Sequence, residues 1–181
     1  MKGMVFTEFL DMVEQQHSAA LVDDIIDACE LPSGGAYTAV GTYDHREMVD
    51  LVVELSRRLD TPVPDLLQAF GTHLFGRFVA AYPHFFTDVD SAFALLHGIE
   101  DVIHKEVRKL YPEAELPRFE TAYDGPDRLV MVYRSPRHME DLAEGLIRAC
   151  IAHYGESVQL ERTSLDEGDG ASVRFVLTRT A

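Results

Sequence analysis

The sequence has few cysteines and no long hydrophobic run. Only two cysteines, Cys29 and Cys150, occur among the 181 residues, far apart and without a pairing framework. Without a CxxC pair or a cysteine–histidine cluster, no structural zinc site is expected. The N-terminus lacks the uninterrupted apolar core of a signal peptide, and no apolar run reaches the ~18 residues that span a bilayer. We therefore expect free thiols, no membrane insertion and a cytoplasmic location.

Basic residues are also scarce. Lys and Arg number 16 against 31 Asp and Glu, which gives a formal net charge of -15. A surface this acidic disfavours nucleic acid and anionic membranes as partners, because both are negatively charged. It suits a basic protein partner, or it simply maintains solubility. The length of 181 residues and the apolar content of 46% fit one soluble domain with one sizeable core.

No repeat, low-complexity tract or linker interrupts the chain, and its first two thirds read as helices joined by short loops. Apolar residues recur at helical spacing up to about residue 111. Breaks that contain proline or glycine fall at residues 31–35 and 82–83. Asp44 is a candidate N-cap, and Glu47 three residues later completes the pattern of a capping box.

After Pro117 the period changes from helical to alternating. Two strands are predicted at residues 119–123 and 128–134, and two more at residues 157–163 and 171–178. A helix at residues 138–154 separates the pairs, and the hairpin turns would fall at residues 124–127 and 166–170. Segregated helices and strands of this kind imply an α+β fold with an antiparallel sheet.

A helix predicted from residue 90 or 91 to about residue 111 carries a histidine beside an apolar stripe. His104 lies roughly 80–90° from the centre of that stripe, on the side of Glu100 and Tyr111. Such an imidazole can enter a pocket while its other nitrogen reaches a polar group, as an axial metal ligand must. The stripe itself consists of Phe93, Leu96, Ile99, Ile103, Val107 and Leu110.

Position alone allows other roles for this histidine. A single histidine on a helix flank is more often a surface or capping residue than a metal ligand. His97 lies seven residues before His104 on the same face, so a two-histidine metal site is a further alternative. No carboxylate or cysteine completes a recognisable ligand set for it.

Three hydrogen-bond donors alternate at the end of the second predicted strand. Side chains on a strand repeat with period two, so Tyr133, Ser135 and Arg137 would share one face. All three can donate to oxygen, the guanidinium bidentately, so the row suits an anion with more than one carboxylate. Pro136 cannot donate to a ladder and marks the strand end. An ordinary polar edge strand followed by a loop would show the same residues.

A histidine on a helix, a proline-bearing loop soon after it and a Tyr-x-Ser-x-Arg strand together resemble the H-NOX (heme-nitric oxide/oxygen binding) family. The start Met1-Lys2-Gly3 and the segment from Phe70-Gly71 through Phe78 to residues 82–83 resemble it too, so the similarity runs end to end. It implies a single domain over residues 1–181, typical of a stand-alone bacterial member. A helical subdomain would span about residues 1–60. Heme-cradling helices and a four-stranded antiparallel sheet would span about residues 61–181.

The resemblance also implies a cofactor and the residues that hold it. The cofactor would be heme b, with His104 as the axial ligand of its iron. Its propionates would be bound by Tyr133, Ser135 and Arg137. Pro117 would press on the porphyrin and contribute to its distortion. The side chains packed against the macrocycle or the ligand pocket would be Val5, Phe78 and Leu146.

The resemblance further indicates which gas would bind. Family members that hold oxygen stably carry a distal tyrosine five residues after the arginine, and here that position is Leu142. Two supporting distal positions are Phe9 and Leu74, neither of which is a strong donor. Bound oxygen carries partial negative charge, so the missing hydrogen bond costs ~1.5–3 kcal/mol, or about one to two decades in affinity. Nitric oxide and carbon monoxide depend on a donor much less.

The implied function is gas sensing without catalysis. Nitric oxide would bind ferrous iron opposite His104, weaken or break the iron–histidine bond and shift the helix, while Pro117 releases porphyrin strain. A partner protein, such as a sensor histidine kinase or a cyclic-di-GMP enzyme (diguanylate cyclase or phosphodiesterase), would read the new surface.

Two other functions stay open at this point. One is a cofactor-free, acidic protein-interaction domain. The other is a heme enzyme, which needs a distal acid–base residue or a thiolate ligand. The candidate distal histidines match no known motif; they are His17, His45, His73 and His84.

Overall fold

Helices occupy the first part of the chain. In the computed structural model, which describes residues 1–165 and 171–180, they begin with α1 (Gly3–Gln16), α2 (Ala19–Ala28) and α3 (His45–Leu59). Then follow α4 (Val63–Ala81), α5 (His84–Thr87), α6 (Ala92–His97), a π-helical segment (Ile99–His104) and α7 (Lys105–Leu110). α8 (Glu140–His153) lies later, between two pairs of strands. No helix among the described residues is both long and apolar enough to cross a membrane.

The start of α3 differs in part from the sequence prediction. Asp44 is its N-cap, as predicted, and accepts a hydrogen bond from the Arg46 amide at 3.0 Å. The capping box is wrong, because Glu47 bonds elsewhere. Its buried carboxylate accepts from the amide and hydroxyl of Ser33 and, at 2.9 Å, from the Tyr37 hydroxyl. The hydrogen bonds of Glu47 therefore link the loop before α3 to the helix.

The helix predicted as continuous from residue 90 or 91 to about residue 111 is divided into three segments. Ser91 is the N-cap and accepts from the Ala94 amide at 3.2 Å. Because a π-helical turn bonds residue i to i+5, it holds more residues than an α-helical turn and shifts the register that follows. Leu110, predicted on the apolar stripe, is accordingly 65% exposed. Phe93, which precedes the π-helical segment, is buried as predicted.

In the described part of the chain, four strands form one antiparallel sheet. They are β1 (Arg118–Tyr123), β2 (Arg128–Ser135), β3 (Val158–Ser164) and β4 (Ala171–Arg179), in the order β1-β2-β4-β3. The α+β class and the four-stranded antiparallel sheet are thus confirmed. The turn predicted at residues 166–170 lies outside the described residues. α8 begins two residues later than predicted, since His138 adopts a φ of 52° that a helix does not allow.

Buried apolar side chains form two clusters that meet at α4 and α8. The N-terminal cluster joins side chains of α1, α2, α3 and the first part of α4, up to Leu74, with Met139. The sheet cluster joins Phe75 of α4 with side chains of α6, α8, β2 and β4. Leu146 on α8 packs against both. The subdomain limit expected near residue 60 stays a prediction.

α4 and α8 cross closely at two glycines. A Cβ on Gly145 would lie 2.2 Å from the Gln68 carbonyl oxygen, and one on Gly71 would lie 2.5 Å from that of Leu142. Real side chains do not tolerate such distances, so both positions need glycine. The close crossing fixes Leu142 and Leu146 at the edge of the N-terminal cluster.

Candidate heme site

His104 is the last residue of the π-helical segment and is largely buried. Its side chain is 12% exposed, and its Nδ1 lies 2.8 Å from Oε1 of Glu100. Burial lowers the pKa of His104 although the Glu100 carboxylate acts in the opposite direction. The neutral imidazole is thus favoured. An Nδ1–H group that donates to Glu100 leaves the Nε2 lone pair for a metal.

Glu100 connects this histidine to the sheet. Its Oε1 also accepts from the Phe119 amide at 2.9 Å, and its Oε2 accepts from Arg108 Nη2 at 3.2 Å. Burial raises the pKa of Glu100, but the hydrogen bonds from Phe119 and His104 outweigh it, and the pKa is lowered overall. Glu100 is therefore a carboxylate. The sequence signal for this contact was its position four residues before His104.

His97 has different partners. Its Nδ1 lies 3.0 Å from the Thr121 hydroxyl, and its ring packs near Tyr123. In residues 1–165 and 171–180, no three His, Cys, Asp or Glu side chains are grouped so that they could hold a metal ion. The alternative of a two-histidine site therefore gains no support from the structure.

Tyr133, Ser135 and Arg137 come together at the end of β2. Tyr133 and Ser135 lie on its buried face, only 2% and 7% exposed. Burial raises the pKa of the Tyr133 hydroxyl, which stays a protonated donor. Arg137 lies in the turn beyond the strand, and its amide donates to the Ser135 hydroxyl at 3.2 Å. The predicted row of donors is present, with its third member outside the strand.

The guanidinium of Arg137 already binds a carboxylate. It donates to the Glu115 carbonyl oxygen at 2.5 Å and to Oε2 of the same residue at 2.6 Å. The Arg137 side chain is 9% exposed and that of Glu115 is 85% exposed, so a competing anion could displace the Glu115 carboxylate while Arg137 stays in place. Arg137 also lines a cavity of about 310 Å³, together with Met1 and Tyr43.

Apart from Pro117, the remaining predicted site residues belong to the N-terminal cluster. Pro117 is half-buried directly before β1. Phe9 and Leu74 are buried inside the N-terminal cluster. The half-buried residues at the edge of that cluster are Val5, Phe78, Leu142 and Leu146.

The histidines considered for a heme enzyme lie apart from this arrangement. His17 and His84 are exposed. His45 lies 3.3 Å from the Asp44 carboxylate, and His73 Nε2 lies 3.5 Å from that of Glu8. No hydrogen bond, ion pair or ring contact found in the described part of the chain joins any of the four to His104.

The donor set fits heme. His104 supplies a neutral nitrogen, the end of β2 supplies donors for carboxylates, and half-buried apolar side chains supply walls. On an α+β scaffold, these features define a heme-binding domain.

The Haem-NO-binding family model matches residues 2–162. The chain therefore belongs to the Haem-NO-binding, or H-NOX, family of heme-based gas sensors, and its cofactor is heme.

Solved H-NOX structures share the whole fold. The Fe(II) unliganded H-NOX protein from K. algicida is 37% identical, with a TM-score of 0.93, and the match covers 100% of this chain and 97% of that chain. An H-NOX protein from S. oneidensis in the Fe(II)NO state is 26% identical, with a TM-score of 0.91 and 100% coverage of both chains. The H-NOX of Shewanella woodyi in the Fe(II)CO state, bound to IWP-051, is 37% identical, with a TM-score of 0.84 and coverage of 99% and 95%. A search of curated proteins finds no match.

Proposed function

We propose that this protein senses nitric oxide and carbon monoxide at ferrous heme, holds oxygen poorly and signals to a partner protein without catalysing a reaction. The observation that carries the proposal is His104, a buried neutral imidazole anchored through Nδ1. Bound heme would supply a ferrous iron that His104 holds and that binds a gas. Membership of a family of gas sensors supports the same conclusion.

The other predicted residues would hold the cofactor in place. Tyr133, Ser135 and Arg137 would donate hydrogen bonds to the propionates, which would take over the role that the exposed Glu115 carboxylate has for Arg137. Four apolar residues would pack on the porphyrin and exclude water; they are Val5, Phe78, Pro117 and Leu146.

The distal side chains would decide between gases. Leu142, Phe9 and Leu74 carry no hydrogen-bond donor, and the last two are buried in the N-terminal cluster. Oxygen needs such a donor more than nitric oxide or carbon monoxide does, so an apolar pocket disfavours oxygen.

The signal would travel through the segment that carries His104. A change at the heme would reach the π-helical segment through His104, and it would reach β1 through the hydrogen bonds of Glu100 to His104 and to the Phe119 amide. A cytoplasmic partner with a basic surface would read the change, and a sensor histidine kinase or a cyclic-di-GMP enzyme fits that role. The net charge of -15 supports a basic contact surface on the partner.

Absorption spectra of the purified, reduced protein test this function. We expect a heme spectrum that changes with nitric oxide and with carbon monoxide and does not change stably in air. The variant His104→Gly should retain a native ferrous spectrum only when imidazole is added. A native spectrum without imidazole would show that the ligand assignment is wrong. A colourless protein would favour the interaction domain, and peroxide turnover would favour a heme enzyme.

A further inference from the structure

Both carboxylate oxygens of Glu100 accept hydrogen bonds, and the three donors lie on the π-helical segment, α7 and β1. Oε1 accepts from Nδ1 of His104 at 2.8 Å and from the Phe119 amide at 2.9 Å. Oε2 accepts from Arg108 at 3.2 Å. The hydrogen bond from the Phe119 amide fixes the position of the carboxylate. Because the carboxylate is fixed, it can orient the His104 imidazole.

A carboxylate that accepts the Nδ1–H bond changes the chemistry of the other ring nitrogen. It draws the proton on Nδ1 toward itself, which makes Nε2 a more basic and stronger metal ligand. The side chain of Glu100 is 25% exposed, so water screens this interaction only in part. Arg108 lies on the opposite oxygen and withdraws part of the negative charge that Glu100 offers to the histidine.

We propose that Glu100 is a positioning residue that sets the strength of the iron–His104 bond and hence how readily nitric oxide binding releases this histidine. The proposal rests on the function proposed above. Arg108 weakens the effect of Glu100, and the Phe119 amide fixes the carboxylate. Asp101, the adjacent acidic residue, is exposed and makes none of these bonds.

The test uses the heme-loaded protein and the variant Glu100→Gln. The glutamine oxygen can still accept from the Phe119 amide, so the local fold is kept while the charge is removed. We expect the iron–histidine stretching band of the ferrous protein, measured by resonance Raman spectroscopy, to move to lower frequency. The rate at which nitric oxide releases His104 should rise about tenfold or more, since second-sphere partners of metal ligands are worth about 10- to 100-fold.

Two variants serve as controls. Asp101→Asn removes the same charge one residue away and should leave the band and the rate unchanged. Arg108→Gln frees the Glu100 carboxylate and should move the band to higher frequency and slow the release. If Glu100→Gln does not retain heme, Arg108→Gln decides, because the exposed Arg108 side chain can be replaced with little risk to folding.

The outcomes separate this proposal from the proposed function. A band that is unchanged in Glu100→Gln and Arg108→Gln, or that moves as far in Asp101→Asn, would overturn the role of Glu100 and leave gas sensing intact. A wild-type protein without an iron–histidine band would overturn both.

Discussion

Leu142 is the side chain that we propose to decide which gas the heme holds. It lies half-buried at the edge of the N-terminal cluster, near the close crossing of α4 and α8. Because its carbonyl oxygen lies against Gly71, the backbone at this position is fixed, and a substitution changes the side chain alone.

We predict that Leu142→Tyr increases oxygen affinity by about one to two decades, since a hydrogen bond to a charged group is worth ~1.5–3 kcal/mol. Oxygen titration of the ferrous protein measures the effect. Leu142→Phe is the matched control, because it adds the same ring without the hydroxyl. Equal affinities in the two variants would show that the position is not distal.

The same residue scale shows what a sequence can and cannot predict about the site. Alternation and helical geometry follow from the backbone, so spacing predicted His104 on a helix and Tyr133, Ser135 and Arg137 at a strand end. Their proposed roles toward heme came from the family resemblance and stay predictions. Partners were harder to predict. Glu47 was expected to bond the backbone of the N-cap residue of α3, and it bonds the preceding loop instead. No sequence pattern indicated Glu115 as the partner of Arg137. Such contacts depend on chain segments that only tertiary structure brings together.

At the scale of elements, the strands agree with the sequence prediction, whereas the predicted continuous helix that carries His104 is divided into three segments. Strand positions were predictable because β2 alternates strictly between buried and half-buried or exposed residues. The π-helical segment has no such signature. It is stabilised from outside the helix, where the Thr121 hydroxyl donates to the His97 carbonyl oxygen at 3.3 Å and Glu100 accepts from the Phe119 amide. Helix propensity depends on the residues of the helix alone, so it cannot predict hydrogen bonds that are donated by β1.

The crossing of α4 and α8 gives a prediction about stability. Gly145→Ala should destabilise the protein by about 1–3 kcal/mol, because its Cβ would meet backbone atoms and force the helices apart. Gly76→Ala on α4 should instead stabilise it by about 0.5–1 kcal/mol, since nothing lies within 4 Å of the added Cβ. Denaturant unfolding of both variants measures the difference, and effects of the same sign would contradict this account.

At the scale of the whole molecule, net charge would act on a partner at longer range than any direct contact does. α2 carries Asp23, Asp24 and Asp27 and no basic residue, and the full chain carries -15. Charge of one sign steers association with an oppositely charged surface over about 10 Å at 0.1 M salt.

We therefore predict that association with the proposed partner, once it is identified, slows at least ~10-fold between about 0.05 and 0.5 M salt. Stopped-flow or surface-based kinetics measure the rate. The double variant of Asp23→Asn and Asp27→Asn removes two exposed charges and should weaken the salt dependence if α2 lies near the contact. A rate insensitive to salt would exclude a basic docking surface.

The division into two clusters also has a consequence for the order in which the protein is made. Among the described residues, the buried members of the N-terminal cluster other than Met139 lie at or before Leu74, so they leave the ribosome before His104 does. Chains fold from the N-terminus as they are synthesised, so this half can pack first. A nascent chain that ends before α8 would display His104 without Leu142 and Leu146. Cofactor loading would thus be a late event, after one wall of the pocket is already in place.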